Sequence, residues 1–157
     1  METVPGRAPG SRSGSRSVPQ RVVLDTNVWL DWLVFRDPSI ALLQSAVAEG
    51  RAEVVIDAAC LAELERVLAY PLGRHTLDAA GQASALEECR RIAVVIEMPG
   101  ALLQALPRCR DPDDQKFLAL AAAAGVEALL TKDAALLALK RRTPFSILRA
   151  AAFVPLY

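Results

Sequence analysis

Apolar and polar positions fall in alternating blocks along this chain, and from Arg21 onward the blocks read in turn as strands and helices. Arg21-Val22-Val23-Leu24 is a β-rich run that stops at the polar triplet Asp25-Thr26-Asn27, ahead of a short apolar stretch through Leu33. Asp37-Pro38-Ser39 opens a helix over 38–49, because proline suits a first helical position and Gly50 can stop the helix. Glu53-Val54-Val55-Ile56 is a second strand. Asp57 is placed to cap a helix from Ala58 to Tyr70, which Pro71 ends. A polar loop leads to a helix at about 77–91, then to a third strand, Ile92-Ala93-Val94-Val95-Ile96. A helix from Pro112 to Ala124 has Gly125 as its C-terminal stop. A fourth strand at 127–131, a short helix after Asp133 and a fifth strand at 145–149 complete the order. Strands separated by helices of this length imply βαβ units. The expected fold class is therefore α/β, with a mostly parallel five-stranded sheet flanked by helices.

Composition narrows this picture. With 157 residues the chain supports one well-packed domain, expected over 21–157. Hydrophobic residues make up 53% but aromatics only 5%, so the core must rest on Ala, Leu and Val. Residues 1–20 differ: Gly, Ser, Pro and Arg dominate, with no apolar stretch of a secretory signal, and the expectation is a disordered tail. No apolar run approaches the roughly 20 residues that span a bilayer, so no membrane partner is expected. Lys+Arg and Asp+Glu balance at 18 each. Strong non-specific adhesion to nucleic acid comes from displaced counterions, and a neutral chain is not built for it; a local basic rim remains compatible with a substrate groove. Cys60, Cys89 and Cys109 are widely spaced and form no C-x-x-C pair, which argues against zinc or a disulfide framework and for thiols in a reducing cytoplasm. His75 is the only histidine, a thin basis for a Cys–His hydrolase.

Four acids stand out against this background. Asp25 and Asp133 each follow a strand, where an open α/β sheet gathers its ligand-binding groups. Each also has the plainer reading of a cap for the helix after it. Asp114 falls in the first turn of the 112–124 helix, where an acid suits the dipole, yet it shares a face with Leu118 and Ala121. Asp113 aligns similarly with Phe117 and Leu120. On the 58–70 helix, Glu63 and Glu65 flank opposite edges of the stripe Leu61, Leu64, Val67 and Leu68, and periodicity does not choose between them. Converging carboxylates repel one another unless a cation sits among them.

Those residues resemble the PIN-domain ribonucleases, and most closely the branch described as toxin components of toxin–antitoxin pairs. The stretches that carry the resemblance are Val23-Leu24-Asp25-Thr26-Asn27-Val28, Leu61-Ala62-Glu63-Leu64-Glu65-Arg66-Val67-Leu68, Cys109-Arg110-Asp111-Pro112-Asp113-Asp114-Gln115-Lys116-Phe117-Leu118 and Leu129-Leu130-Thr131-Lys132-Asp133. It spans about residues 21–148. The resemblance implies a PIN-like, Rossmann-like three-layer fold whose acidic quartet is Asp25, Glu63, Asp114 and Asp133. It implies Asn27 and Thr131 as polar helpers, homodimers, and an antitoxin protein as partner. Gln115 departs from the acid or Asn usual in similar sequences, an expected loosening of a second metal site.

The expected chemistry is hydrolysis of RNA phosphodiesters with one or two Mg²⁺ or Mn²⁺ ions, since hard cations take carboxylate and water oxygens and no imidazole or thiolate set is present. Asp25 and Asp114 are the expected direct ligands, with Glu63 and Asp133 binding a second ion or acting through water. Arg108, Arg110, Lys116 and Lys132 flank the acids and are expected near substrate phosphates, Arg110 and Lys116 foremost. Trp29 and Trp32 fit either base stacking or core packing. Three rivals are a phosphatase with Asp25 as nucleophile, a PIN-fold interaction protein without turnover, and a nuclease acting on DNA flaps. The phosphatase is disfavoured by Asn27, where a second acid is typical.

Overall fold

The computed structural model describes residues 18–98 and 105–154. Most of the expected tail, residues 1–17, lies outside them, and the first strand starts at Gln20, inside the range given to that tail.

Five strands form one sheet: β1 (Gln20–Leu24), β2 (Ala52–Ile56), β3 (Ala93–Val95), β4 (Ala128–Leu130) and β5 (Ser146–Leu148). Their order is β3-β2-β1-β4-β5, and every neighbouring pair is parallel. Val22 sits opposite Val54 on one side and Ala128 on the other, and Leu24 is opposite Leu130. Val22, Val23, Leu24, Val54, Leu129 and Leu130 are all buried, as strands covered on both faces require. From β1 the chain builds outward to β2 and β3, then crosses back to place β4 and β5 on the other flank. The strand order reverses at β1 and β4, which is where an open α/β sheet leaves a crevice at its carboxyl ends.

Several helices start where an aspartate side chain caps them. Asp25 accepts from the Val28 amide at 2.9 Å and begins α1 (Thr26–Leu30). A π-helical turn over Asp31–Phe35 follows, ending at Arg36 with φ of 53°. Asp37 accepts from Ser39 and opens a 3-10 turn, Pro38–Ile40, that leads into α2 (Ala41–Ala48). Asp57 accepts from Cys60 at the start of α3 (Ala58–Leu68), and Asp78 from Gly81 at α4 (Ala79–Ile92). The 112–124 segment is a 3-10 turn, Pro112–Asp114, and then α5 (Gln115–Ala124), closed by Gly125 at φ of 62°. Asp133 accepts from Ala135 and starts α6 (Ala134–Leu137).

Two boundaries differ from the sequence expectation for a physical reason. Ile92 ends α4 rather than opening β3, because the helix runs straight into the strand without a loop. The stretch 26–35, expected only as an apolar segment, is helical; its Trp29, Trp32 and Leu33 are buried in the core, and the two indoles stack with centroids 6.0 Å apart. Contacts link α1 to α3, α3 to α4 and α5, and α5 to β1, so α1, α3 and α5 meet beside the carboxyl end of the central strand. Among the described residues no helix is long and apolar enough to cross a membrane.

Candidate active site

At the end of β1 the Asp25 amide donates to Leu130 O at 3.1 Å, so the ladder carries on to the last residue before the cleft. On the neighbouring strand end the Thr131 amide donates to Leu148 O at 2.8 Å. The two strand ends are thereby held side by side, and the side chains that follow them project into a cleft of about 110 Å³. Asp25, Glu63, Asp114 and Asp133 all line it, together with Thr26, Asn27, Val67 and Phe117. The four acids come from four different elements, spread over 108 positions of sequence from Asp25 to Asp133.

Asp25 is only 3% exposed. Oδ1 is taken by the Val28 amide, and Oδ2 accepts from the Thr131 hydroxyl. Burial raises its pKa above the usual aspartate value, against the pull of those two hydrogen bonds. Thr131 is fully buried and has a second partner: its Oγ1 accepts from the Asp133 amide at 2.9 Å. Thr131 thus ties one acid's carboxylate to another acid's backbone.

Asp114 and Asp133 lean on each other. Burial, then the neighbouring Asp133, pushes the Asp114 carboxyl up to about 7, while the hydrogen bond between them holds Asp133 below the usual range. The two neighbouring carboxyls are thus driven in opposite directions, Asp114 upward and Asp133 downward. Asp114 Oδ2 is buried with no hydrogen-bond partner.

Glu63 faces the cleft and Glu65 is exposed, lining a separate groove between α3 and α4 with Gln82 and Arg90. That resolves the choice periodicity left open. Glu63 Oε2 accepts from the Thr26 hydroxyl at 2.6 Å, and Oε1 pairs with the Lys116 ammonium. Burial acts to raise the Glu63 pKa, but Lys116 and Thr26 outweigh it and the net shift is downward. Among the described residues no three His, Cys, Asp or Glu side chains stand close enough to form a preassembled metal cage.

The flanking cations divide. Lys132 is 2.8 Å from the buried Asp31 carboxylate, so it anchors the turn after α1 and is committed there. Arg108 and Arg110 are exposed, and the Arg110 charge contributes to the lowered pKa of Asp133. Asp113 is exposed at the rim, and its carbonyl accepts from Lys116. Asn27 is exposed yet lines the cleft. Trp29 and Trp32 belong to the core and are not available for base stacking.

Sequence reasoning missed three contributors. Thr26 orients Glu63 across 37 positions. Gln115 spans a loop: its Oε1 accepts from the Cys109 amide at 2.7 Å and its Nε2 donates to Pro107 O at 3.0 Å. It is engaged there, which gives its identity a purpose other than the one expected. Asp31 is a buried acid whose Lys132 partner is a century of residues away, a pairing no local pattern signals. His75 packs edge-on to Phe35, and none of the three buried, free cysteines lines the cleft.

No curated protein sequence matches this chain. Among solved structures, the chain is similar to one in the structure of VapBC2 from Rickettsia felis bound to a DNA fragment from their promoter, with 16% identity and a TM-score of 0.59, covering 82% of this chain and 97% of that one. It is also similar to PAE2754 from Pyrobaculum aerophilum, with 17% identity and a TM-score of 0.55, covering 89% of this chain and 92% of that one. At such identities these two likenesses establish a shared fold. The sequence model of the PIN domain matches residues 21–135, a stretch that contains all four cleft acids. The chain belongs to the PIN-domain family.

Proposed function

We propose that this protein is a divalent-metal-dependent endoribonuclease and the toxin of a toxin–antitoxin pair. The observation that carries the reading is the single cleft lined by Asp25, Glu63, Asp114 and Asp133, in which one buried Asp114 oxygen has no partner. An unpaired buried carboxylate oxygen beside a second carboxylate is costly in the protein alone and is satisfied by a hard cation. Asp25, Asp114 and Asp133 are the residues that would hold Mg²⁺ or Mn²⁺, because their donors are all oxygens and neither thiolate nor imidazole lines the cleft. Bound there, the ion supplies Lewis-acid activation of the phosphodiester and neutralises charge as the bond breaks.

The protein's own groups prepare that site. Thr131 fixes Asp25 and Asp133 relative to each other, so two ligands keep one geometry. Burial of Asp25 and Asp114 strengthens their interaction with charge by excluding water. A bound cation would compete with protons for the Asp114 and Asp133 oxygens, so its binding would strengthen as those acids ionise. Glu63 is held by Lys116, and Arg110, whose charge acts on Asp133, together with the exposed Arg108 is available to contact a phosphate backbone. Three buried thiols fit a reducing cytoplasm.

The test is cleavage of a panel of structured RNAs by wild type and Asp114→Asn, with MgCl₂ or MnCl₂ and with EDTA. Wild type cleaves with either metal, EDTA stops it, and Asp114→Asn reduces the rate by at least about 100-fold. Equal cleavage by both proteins would overturn the site assignment. The antitoxin part of the reading draws on the VapBC2 likeness, and is checked by whether the product of an adjacent small reading frame co-purifies and suppresses cleavage. The homodimer is checked by sedimentation.

A further inference from the structure

Glu63 differs from the other three cleft acids in what holds it. Its Oε2 accepts from Thr26 at 2.6 Å and its Oε1 carries the Lys116 ammonium, while Arg66 stands at 3.8 Å on the outer side. Lys116 extends from the first turn of α5, two positions after Asp114, and donates also to the Asp113 carbonyl. The ammonium is therefore pinned from α5 and from α3 together, and its side chain is only 24% exposed. Across the cleft Asp114 Oδ2 has no partner at all.

A fixed ammonium and a divalent ion cannot share one carboxylate without strong mutual repulsion in a partly dry cleft. We propose that Lys116 takes, with its ammonium, the place of a second metal ion at Glu63, so that the cleft holds a single divalent ion between Asp25, Asp114 and Asp133. The inference rests on the metal-dependent reading above and fixes its metal count. Lys116 then acts as a positioning residue: it keeps the Glu63 carboxylate turned to Thr26 and away from the ion. The ammonium is a compact point charge that neutralises one carboxylate, which is what Glu63 alone needs.

The experiment is calorimetric titration with MnCl₂, read as ions bound per chain, with melting curves to verify folding. Wild type binds one ion. Lys116→Met binds a second, and Lys116→Met with Glu63→Gln returns to one. Glu63→Gln alone still binds one ion, with Kd within about threefold of wild type. Two ions in wild type, or one in a folded Lys116→Met, would overturn the inference and leave the metal-enzyme reading standing. Loss of the ion in Glu63→Gln would do the same by making Glu63 a ligand, and it needs no Lys116 variant to fold. A wild type that binds no Mn²⁺ removes the metal-enzyme reading itself, and the inference with it.

Discussion

Thr131 has one hydroxyl and serves two acids with it, donating to Asp25 Oδ2 and accepting from the Asp133 amide at 2.9 Å. Thr131→Val keeps the shape and removes both bonds, leaving a buried carboxylate oxygen and an amide short of partners. The expected cost is about 1–3 kcal/mol in stability. Cleavage is expected to fall roughly 10- to 100-fold, as when a residue behind a metal ligand is lost. Thr131→Ser, which keeps the hydroxyl, should retain most of both; denaturant melts and RNA cleavage on the three proteins decide it. At this scale the sequence exposed Asp25 and Asp133 well, because a carboxylate after an apolar strand is conspicuous. Their capping role and their place in the cleft turn out to be compatible, since Asp25 caps with Oδ1 and Asp133 likewise. Periodicity left Glu63 and Glu65 open and the family resemblance chose Glu63; that Glu63 lines the cleft follows from how α3 packs against α1 and α5, which a helical wheel does not contain.

The aspartate caps announce some helices in the sequence, and starts at Asp57 and Asp133 follow from local chemistry alone, while the Asp78 cap emerges only in the structure. What the pattern left out were elements shaped from elsewhere. The π-helical turn over Asp31–Phe35 ends at Arg36 in the left-handed region, and its Asp31 is anchored by Lys132 from beyond β4. The loop before α5 is another such case, held by Gln115 through Cys109 and Pro107. Because both ends of that amide are used, Gln115→Ala should cost about 1–3 kcal/mol. It should also speed hydrogen exchange at the Cys109 amide and leave the exchange of β1 unchanged. An unaltered Cys109 amide would show that the loop is held by other means. Such a loosened loop moves the start of α5, which carries Asp114, so cleavage should fall with stability.

For the whole molecule, the cleft makes stability depend on pH. Folded Asp114 keeps its proton up to about 7, and burial raises Asp25 as well, whereas an unfolded aspartate releases its proton near ~4. Between those limits the folded state binds more protons than the unfolded one, so the metal-free protein loses stability as pH rises through the window from about 4 to about 7. Asp133 works in the opposite sense, but its lowered value places that effect below the window. Melting curves with EDTA should therefore give a higher Tm at about pH 6 than at about pH 8. Excess MgCl₂ should raise Tm most at the higher pH, where the acids are ionised and bind best. A Tm that does not change with pH in EDTA would mean that the Asp114 carboxyl is not raised toward about 7 in the folded protein.

Apart from the helical stretch 26–35, the sequence alone determined the order of strands and helices, the parallel sheet, several aspartates that begin helices and the glycine that ends α5, because each depends on a few neighbouring residues and on short periodicities. It exposed two strand-end acids for the same reason, and its family resemblance extended these to four. Only the tertiary structure decided that Glu63 meets Lys116 and Thr26, that Lys132 belongs to Asp31, and that Gln115 clasps a loop. Those partners lie on different elements, and their distances are set by how α1, α3 and α5 pack beside β1. A carboxylate's chemistry depends on which charge and which hydroxyl reach it, and that is a question of three-dimensional proximity.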